Sequence, residues 1–304
     1  MKKNIYNSDI AKHINCKLYG EKDKINGISI FPNNINNSLS FLSNIDDIKN
    51  IKKNKNSSTV ITVPENVEIL LKNKYSVISS DQPKYDIALI YEEFFKKEKV
   101  SFIDSNSYIG PKVILSKNVT ISAGVVLDGN ITVGENTYIG NNTIIKNNIK
   151  IGKNVQILAG NVIGENAFSF GFSKKPNIET LKRFPSFGGV LIEDNVNVGN
   201  NCVITRGIFD NTEIKRYTKI NDLVHIGNTV KIGENTLIMA NVDISARVNI
   251  GKGCWIAQSA CLRQGITIGD HTQIGMGSVV TKDIKSGVIA YGSPAKYIKQ
   301  RYND

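Results

Sequence analysis

An aliphatic residue recurs at every sixth position over two long stretches of this chain, and that period constrains the fold more than any other feature. From Ile103 the series runs through Ile109, Leu115, Ile121, Leu127, Val133, Ile139, Ile145, Ile151 and Ile157 to Ile163. It resumes at Ile192, Val198 and Ile204, takes a ten-residue step to Ile214, and then holds its six-residue pace to Val280. Neither the 3.6-residue turn of a helix nor the period of two of a simple strand yields this spacing. Stacked coils of short parallel strands do. Each hexad supplies one strand and one corner. The leading aliphatic residue points inward, and a Val, Thr, Ala, Cys or Ser four places later joins it. Twenty-six hexads, taken three per coil, make between eight and nine coils of a parallel β-helix. Strands of successive coils then lie about 4.8 Å apart.

Two irregularities interrupt the prism. Residues 169–191, "SFGFSKKPNIETLKRFPSFGGVL", form an insertion rich in phenylalanine and basic residues, and long loops in compact domains are usually functional. The other is the four-residue excess in "TRGIFDNTEI". Residues 1–100 carry no repeat. They mix strand-like runs ("STVITVP", "YSVISS", "DIALIY") with helical ones ("VEILLKNK", "YEEFFKKE"), which predicts a separate small α/β domain. The β-helix is expected over 101–285, followed by a short basic cap helix over 286–304.

Composition narrows the function. No apolar run approaches the ~18 residues that span a bilayer, and the start has no apolar signal-peptide segment. Cys16, Cys202, Cys254 and Cys261 show no metal-ligand or redox-motif spacing, so reduced thiols in a cytoplasmic protein are expected, without stable membrane insertion. A net charge of +11 favours anionic partners. The lysines are scattered among asparagines rather than interleaved with aromatics in a stripe, which argues against nucleic acid. With only His13, His225 and His271, the chain lacks the histidine cluster of a metal-dependent hydratase on such a prism.

The hexad pattern resembles that of the left-handed β-helix acyltransferases, and the resemblance implies that handedness, a homotrimer and active sites between neighbouring prisms. More narrowly, "NSLSFLSN", "VIGENAFSFGF", "ITRGIFDNTEI" and "KINDLVHIG" resemble the UDP-3-O-acylglucosamine N-acyltransferases of lipid A synthesis. That family's uridine site would fall on Phe41 and Asn44. An aromatic face to stack a base and an amide to read its edge suit that task. The family's second sandwiching aromatic would fall at Asp47. Its base histidine would align with Asn228, and a second active-site histidine would fall near Gly265. The end, "IGMGSVVTKDIKSGVIAYGSPAK", is similar instead to sugar and serine acetyltransferases that use acetyl-CoA. That likeness implies backbone groups of Ala257 and Gly275 against a pantetheine arm, with Lys282 and Lys296 meeting its phosphates.

Amide formation from a thioester needs a neutral amine, an acceptor for its proton and a donor facing the oxyanion. His225 is the candidate base. It occupies the sixth place of its hexad, and the same place one coil on holds Asp243, so coils stacked in register would let the carboxylate orient the imidazole. Asn228 is a candidate for binding the sugar or polarising the carbonyl, and Asp222 for accepting a proton or a sugar hydroxyl. The expected activity is therefore N-acetylation of a UDP- or dTDP-linked amino sugar by acetyl-CoA for surface glycan synthesis. The alternatives are a UDP-3-O-acylglucosamine N-acyltransferase fed by 3-hydroxyacyl carrier protein, and a nucleotide-sugar-binding protein without catalysis.

Overall fold

The computed structural model describes residues 4–31, 35–42, 51, 57–96, 100–173 and 181–301. The chain divides into two compact units, Met1–Lys99 and Val100–Asp304. The second is a left-handed parallel β-helix with three faces. These are sheets of ten, nine and eight strands, in which each hexad pairs with the hexad of the same face in the next coil. The register is regular. Leu237 pairs with Trp255 on the ten-stranded face, His225 with Asp243 on the nine-stranded face, and Lys231 with Asn249 on the eight-stranded face.

Inside the prism the leading aliphatic residues form one continuous core, from Ile121 through Ile157, Ile204, Ile226 and Ile256 to Val280, each fully buried. The small partners two residues before them are buried too: Val224, Val242, Cys202 and Cys254, and the threonines Thr137, Thr143, Thr218, Thr236 and Thr272. A buried hydroxyl must find an acceptor. Thr137, Thr143, Thr218 and Thr236 donate to the carbonyls of Gly152, Leu158, Gly233 and Gly251 at 2.9–3.0 Å. Burial in this apolar column also raises the thiols of Cys202 and Cys254 above their ordinary range. Because side chains at alternate strand positions point in and out, the core claims one residue of each short strand. The outward residue before it is left free for other work.

Both irregularities leave the prism at the same edge, between the nine- and eight-stranded faces. The insertion departs after Val162–Ile163 and returns at Val190–Ile192. The ten-residue step departs one coil later, after Val203–Ile204, and returns at Thr212–Ile214. The insertion contains a hairpin of its own, in which Phe170–Phe172 pairs antiparallel with Leu181–Arg183.

The chain beyond the last coil is a correction to the expected cap helix. Residues Val288–Gly292 and Ala295–Gln300 form an antiparallel hairpin, and its first strand extends the ten-stranded sheet by pairing Gln273 with Ile289. The open edge of the final coil offers unpaired backbone groups, and a strand satisfies them where a helix would not.

The first unit is a five-stranded sheet, in which Ser38–Leu42 and Ser58–Thr62 pair in parallel, with short helices and its own apolar clusters. The run "DIALIY" was expected as a strand, yet it lies across the end of helix Pro83–Ile90. Proline suits the first helical turn, and burial of Pro83, Asp86 and Ile90 follows helical spacing. Among the described residues, no helix is long and apolar enough to cross a membrane.

Candidate active site

The outward column of the nine-stranded face changes character part-way along. Its earlier rungs present Val126, Ile144, Val162 and Val203, and the next three present His225, Asp243 and Cys261 in direct register. The expected His–Asp pair is formed. Nδ1 of His225 lies 2.7 Å from Oδ1 of Asp243, with both side chains about half exposed, at 49% and 52%. With the hydrogen on Nδ1 the ring donates to Asp243 Oδ1, and that tautomer leaves Nε2 with a free lone pair able to take a proton. Stacking of coils alone creates this pair, since each residue is the outward member of a two-residue strand.

Asn228 sits at the corner just after His225, half-buried, and its carbonyl accepts the N–H of Arg247 at 2.9 Å. Gly227 lies between the two, and a Cβ there would come within 2.8 Å of the Ala246 nitrogen. Only glycine lets the coils close at this corner. Thr229, next in sequence, has φ +57 although its side chain is β-branched. Such backbone persists where the surroundings impose it. Here they are the step of the coil above. Thr229 Oγ1 accepts the N–H of Ile208 at 3.3 Å, the Thr229 N–H donates to Thr212 Oγ1 at 2.9 Å, and that hydroxyl donates to the Thr205 carbonyl at 2.8 Å. The excursion at 205–212 therefore braces the Asn228 corner, a role that no repeat pattern announces.

Arg206 braces the same edge. It is only 7% exposed. Its Nε donates to the Gly188 carbonyl at 2.7 Å and an amino group donates to that of Phe187 at 3.1 Å, while burial pushes the guanidinium below its ordinary pKa. Phe187 in turn stacks on Phe209, their planes 15° apart. The end of the insertion is thus pinned to the ten-residue step.

Asp222 is otherwise engaged. Its Oδ1 accepts the backbone N–H of Asn200 at 2.6 Å and the Asn200 amide at 3.0 Å. Asp194, Asp270 and Asp283 hold backbone N–H groups of Lys153, Lys252 and Thr267 in the same manner. The recurrence marks Asp222 as a tie between coils rather than a free proton acceptor.

In the first unit, Phe41 shows its ring to solvent, 38% exposed, within a strand whose other members are buried. It is not a core residue. Asn44 and Asp47 lie outside the described residues.

In the rear coils the N–H groups of Ala257 and Gly275, the residues expected against a pantetheine arm, are paired within the protein. The Ala257 N–H donates to the Ile274 carbonyl at 3.0 Å and the Gly275 N–H to that of Ala290 at 2.9 Å. The Gly275 carbonyl accepts the Ser278 hydroxyl at 2.7 Å. These groups hold the coils together, and glycine is needed at 275 because a Cβ would meet that of Tyr291 at 2.5 Å. Lys282 and Lys296 are exposed.

Comparison with known proteins sets this geometry in a family. Residues 130–165 and 247–282 match the bacterial transferase hexapeptide (six repeats), and 99–128 match the hexapeptide repeat of succinyl-transferase. The chain is 37% identical over 300 residues to the UDP-3-O-acylglucosamine N-acyltransferase of Campylobacter lari, covering 94% of this chain and 92% of that one. The chain belongs to that family. Membership makes it an acyltransferase acting on an amino group. The Caulobacter relative of the same name is 31% identical over 47% of this chain and 41% of its own length. Among solved structures, the UDP-N-acetylglucosamine acyltransferase of Bacteroides fragilis aligns with a TM-score of 0.59 at 24% identity, over 66% of this chain and 75% of that one. The Francisella novicida counterpart aligns with the same TM-score at 23% identity, over 66% and 70%. Both share the fold. The family likeness runs along nearly the whole chain, so the second half does not need a separate acetyltransferase kinship to account for it.

Proposed function

We propose that the protein transfers an acyl group from an acyl carrier protein thioester to the amine of a UDP-3-O-acylglucosamine, acting as a homotrimer. What carries this reading is the His225–Asp243 pair, on a chain that resembles a relative named for this reaction from one end to the other. It takes the carrier-protein alternative in place of the expected acetyl-CoA donor, because the relative matched along the whole chain is named for the lipid A reaction. The net charge of +11 and the exposed Lys282 and Lys296 suit an acidic carrier domain as well as they suit the phosphates of coenzyme A.

In this mechanism the sugar amine attacks the thioester carbonyl and forms the C–N bond. Nε2 of His225 takes the proton released by the amine, and Asp243 holds the imidazole and balances its charge. The Asn228 amide donates to the oxyanion. Collapse breaks the C–S bond, and the proton passes to the leaving thiolate. Base assistance of this kind contributes ~10²–10⁴-fold. Phe41 stacks the uracil.

The deciding experiment measures thiol release and product mass with UDP-3-O-acylglucosamine as acceptor and either 3-hydroxyacyl carrier protein or acetyl-CoA as donor. An amide product formed only with the carrier protein is expected. Turnover with acetyl-CoA alone restores the acetyltransferase reading. UDP-sugar binding without turnover of either donor points to a protein that kept the fold and lost the chemistry.

A further inference from the structure

The corner that carries Asn228 is gripped from the coil before it as well as from the coil after it. The peptide group between Asn228 and Thr229 is held at both ends. Its carbonyl accepts the N–H of Arg247 at 2.9 Å, from the next coil, and its N–H donates to Thr212 Oγ1 at 2.9 Å, from the end of the ten-residue step. The Thr212 hydroxyl has no choice of role in this contact. It donates its own hydrogen to the Thr205 carbonyl at 2.8 Å, which leaves a lone pair for Thr229. Thr205 holds the other side of the corner. Its hydroxyl donates to the Ile226 carbonyl at 2.8 Å, and its N–H to the same oxygen at 2.9 Å. Thr212 is fully buried, and every partner named here belongs to the same chain, so these bonds do not depend on which faces of the prism an assembly covers.

With the acyl-transfer reading as the basis, we infer that Thr212, backed by Thr205, is a positioning residue of the reaction. Its hydroxyl fixes the 228–229 peptide, and with it the line along which the Asn228 amide meets the developing oxyanion. An asparagine amide swings on two torsions from its Cα, so its reach is only as well defined as the backbone beneath it. A donor stabilises the transition state when it stands in place before the charge develops. Supporting bonds hold such a group within about 0.5 Å of its working position. This corner needs the support, because Thr229 sits at φ +57, a region that a β-branched residue enters only where its neighbours impose it. Without the Thr212 hydroxyl, the Thr229 N–H and the Thr205 carbonyl each lose a partner, and the strained residue is free to relax. A displacement of about 1 Å at Asn228 lowers the rate by up to roughly 10²-fold. A hydroxyl that served the coil alone would register in melting and not in turnover.

The test is a double-mutant cycle on the full-length protein, assayed with UDP-3-O-acylglucosamine and 3-hydroxyacyl carrier protein. Thr212→Val keeps the shape and removes the hydroxyl. Its kcat should fall at least about tenfold with both KM values held, because the contact it aims is made in the transition state. Thr212→Ser, which retains the hydroxyl, should restore most of that loss. Asn228→Ala should lower kcat by about 10²–10³-fold, and adding Thr212→Val to it should lower kcat little further, since the group being aimed is gone. Fluorescence melting of Trp255 checks that each variant is folded. If Thr212→Val is not, Thr205→Val takes its place in the cycle, since it removes the bond to Ile226 from a half-buried site at the same corner. An equal loss with and without Asn228→Ala overturns the inference and leaves the threonine a structural residue, as does parent kcat in the threonine variant. Both outcomes leave the oxyanion role of Asn228 standing. Failure of the acyl-transfer reading looks different: the parent protein does not turn over, or Asn228→Ala keeps the parent kcat, and either result overturns the inference with it.

Discussion

The prism and the first unit solve the problem of burying a core in opposite ways. In the prism the core is one column of aliphatic residues repeated every six positions, and the whole inward surface is accounted for by that column and its small partners. Ile226 and Ile244 serve the fold, while their neighbours His225 and Asp243 serve nothing in the core. The first unit has two smaller clusters assembled from helices and strands, and no place in its sequence announces which residue points where. Repetition thus separates folding from chemistry at single-residue resolution, whereas an irregular core mixes them.

The sharpest test of that separation pairs two adjacent residues. His225→Ala should lower kcat by roughly 10²–10⁴-fold and leave the thermal transition of Trp255 where it is, because the imidazole is half exposed and its hydrogen bond is to Asp243, outside the core. Asp243→Asn should fall in between, since the ring keeps a hydrogen-bond partner but loses the charge. Ile226→Ala should do the reverse. Emptying a fully buried site lowers stability by about 2–5 kcal/mol, and Trp255, the sole tryptophan, reports on the prism directly. Leu39→Ala in the first unit empties an equally buried site in a separate core, so it should leave the Trp255 transition in place. If Leu39→Ala moves that transition as far as Ile226→Ala does, the two cores are one cooperative system and the comparison fails.

A smaller effect is expected at Phe41. Its ring is exposed within an otherwise buried strand, so removing it does not empty the core. Stacking of a base on an aromatic ring is worth about 1–3 kcal/mol. Phe41→Ala should therefore raise KM for the UDP-sugar roughly tenfold or more with kcat held. Leucine at this place should restore little, because it keeps the bulk but not the flat face. A fall in kcat at unchanged KM would place Phe41 outside the acceptor site.

How much was legible follows the same division. The period located the coils, the inward column and the His225–Asp243 contact eighteen residues apart, because stacking in register turns sequence distance into spatial adjacency. It also gave the buried threonines, whose hydroxyls a simple hydrophobicity count would have put outside. What failed was decided by tertiary context. Val288–Gly292 became a strand because the last coil left an open edge, and Ala295–Gln300 became one by pairing with it. Asp222 looked like a proton acceptor until the turn above it was in view, and only the repeated ties at Asp194, Asp270 and Asp283 explain its place. The bracing of Asn228 by Thr212 and Arg206's grip on the insertion arise where the period breaks, so no repeat could foretell them. The donor was the least legible, because a hexad-rich end resembles many acyltransferases at once, and likeness along the whole chain favours the carrier-protein alternative.

The corners give the finest version of the comparison. Most corner residues with positive φ are asparagine or glycine, such as Asn201, Asn241 and Gly277 along one edge of the prism. Both types tolerate the left-handed region. On that same edge, two residues before His225, the place is taken by Leu223, with φ +60 and a side chain 55% exposed. A leucine there neither relaxes the backbone nor fills the core. The left-handed region costs an ordinary side chain roughly 1–2 kcal/mol, and a corner that served the fold alone would carry asparagine. Leu223→Asn should therefore stabilise the prism by about 1 kcal/mol, which for a unit of this size raises the Trp255 transition by roughly 2–4 °C. Asn241→Leu, one coil on, should lower it by a similar amount. If Leu223→Asn instead lowers the transition, the leucine is packing against something and belongs with the inward column. If it raises the transition as expected, the strain beside His225 is being held for a reason other than folding, and kcat/KM of the same variant then tells whether that reason is the reaction.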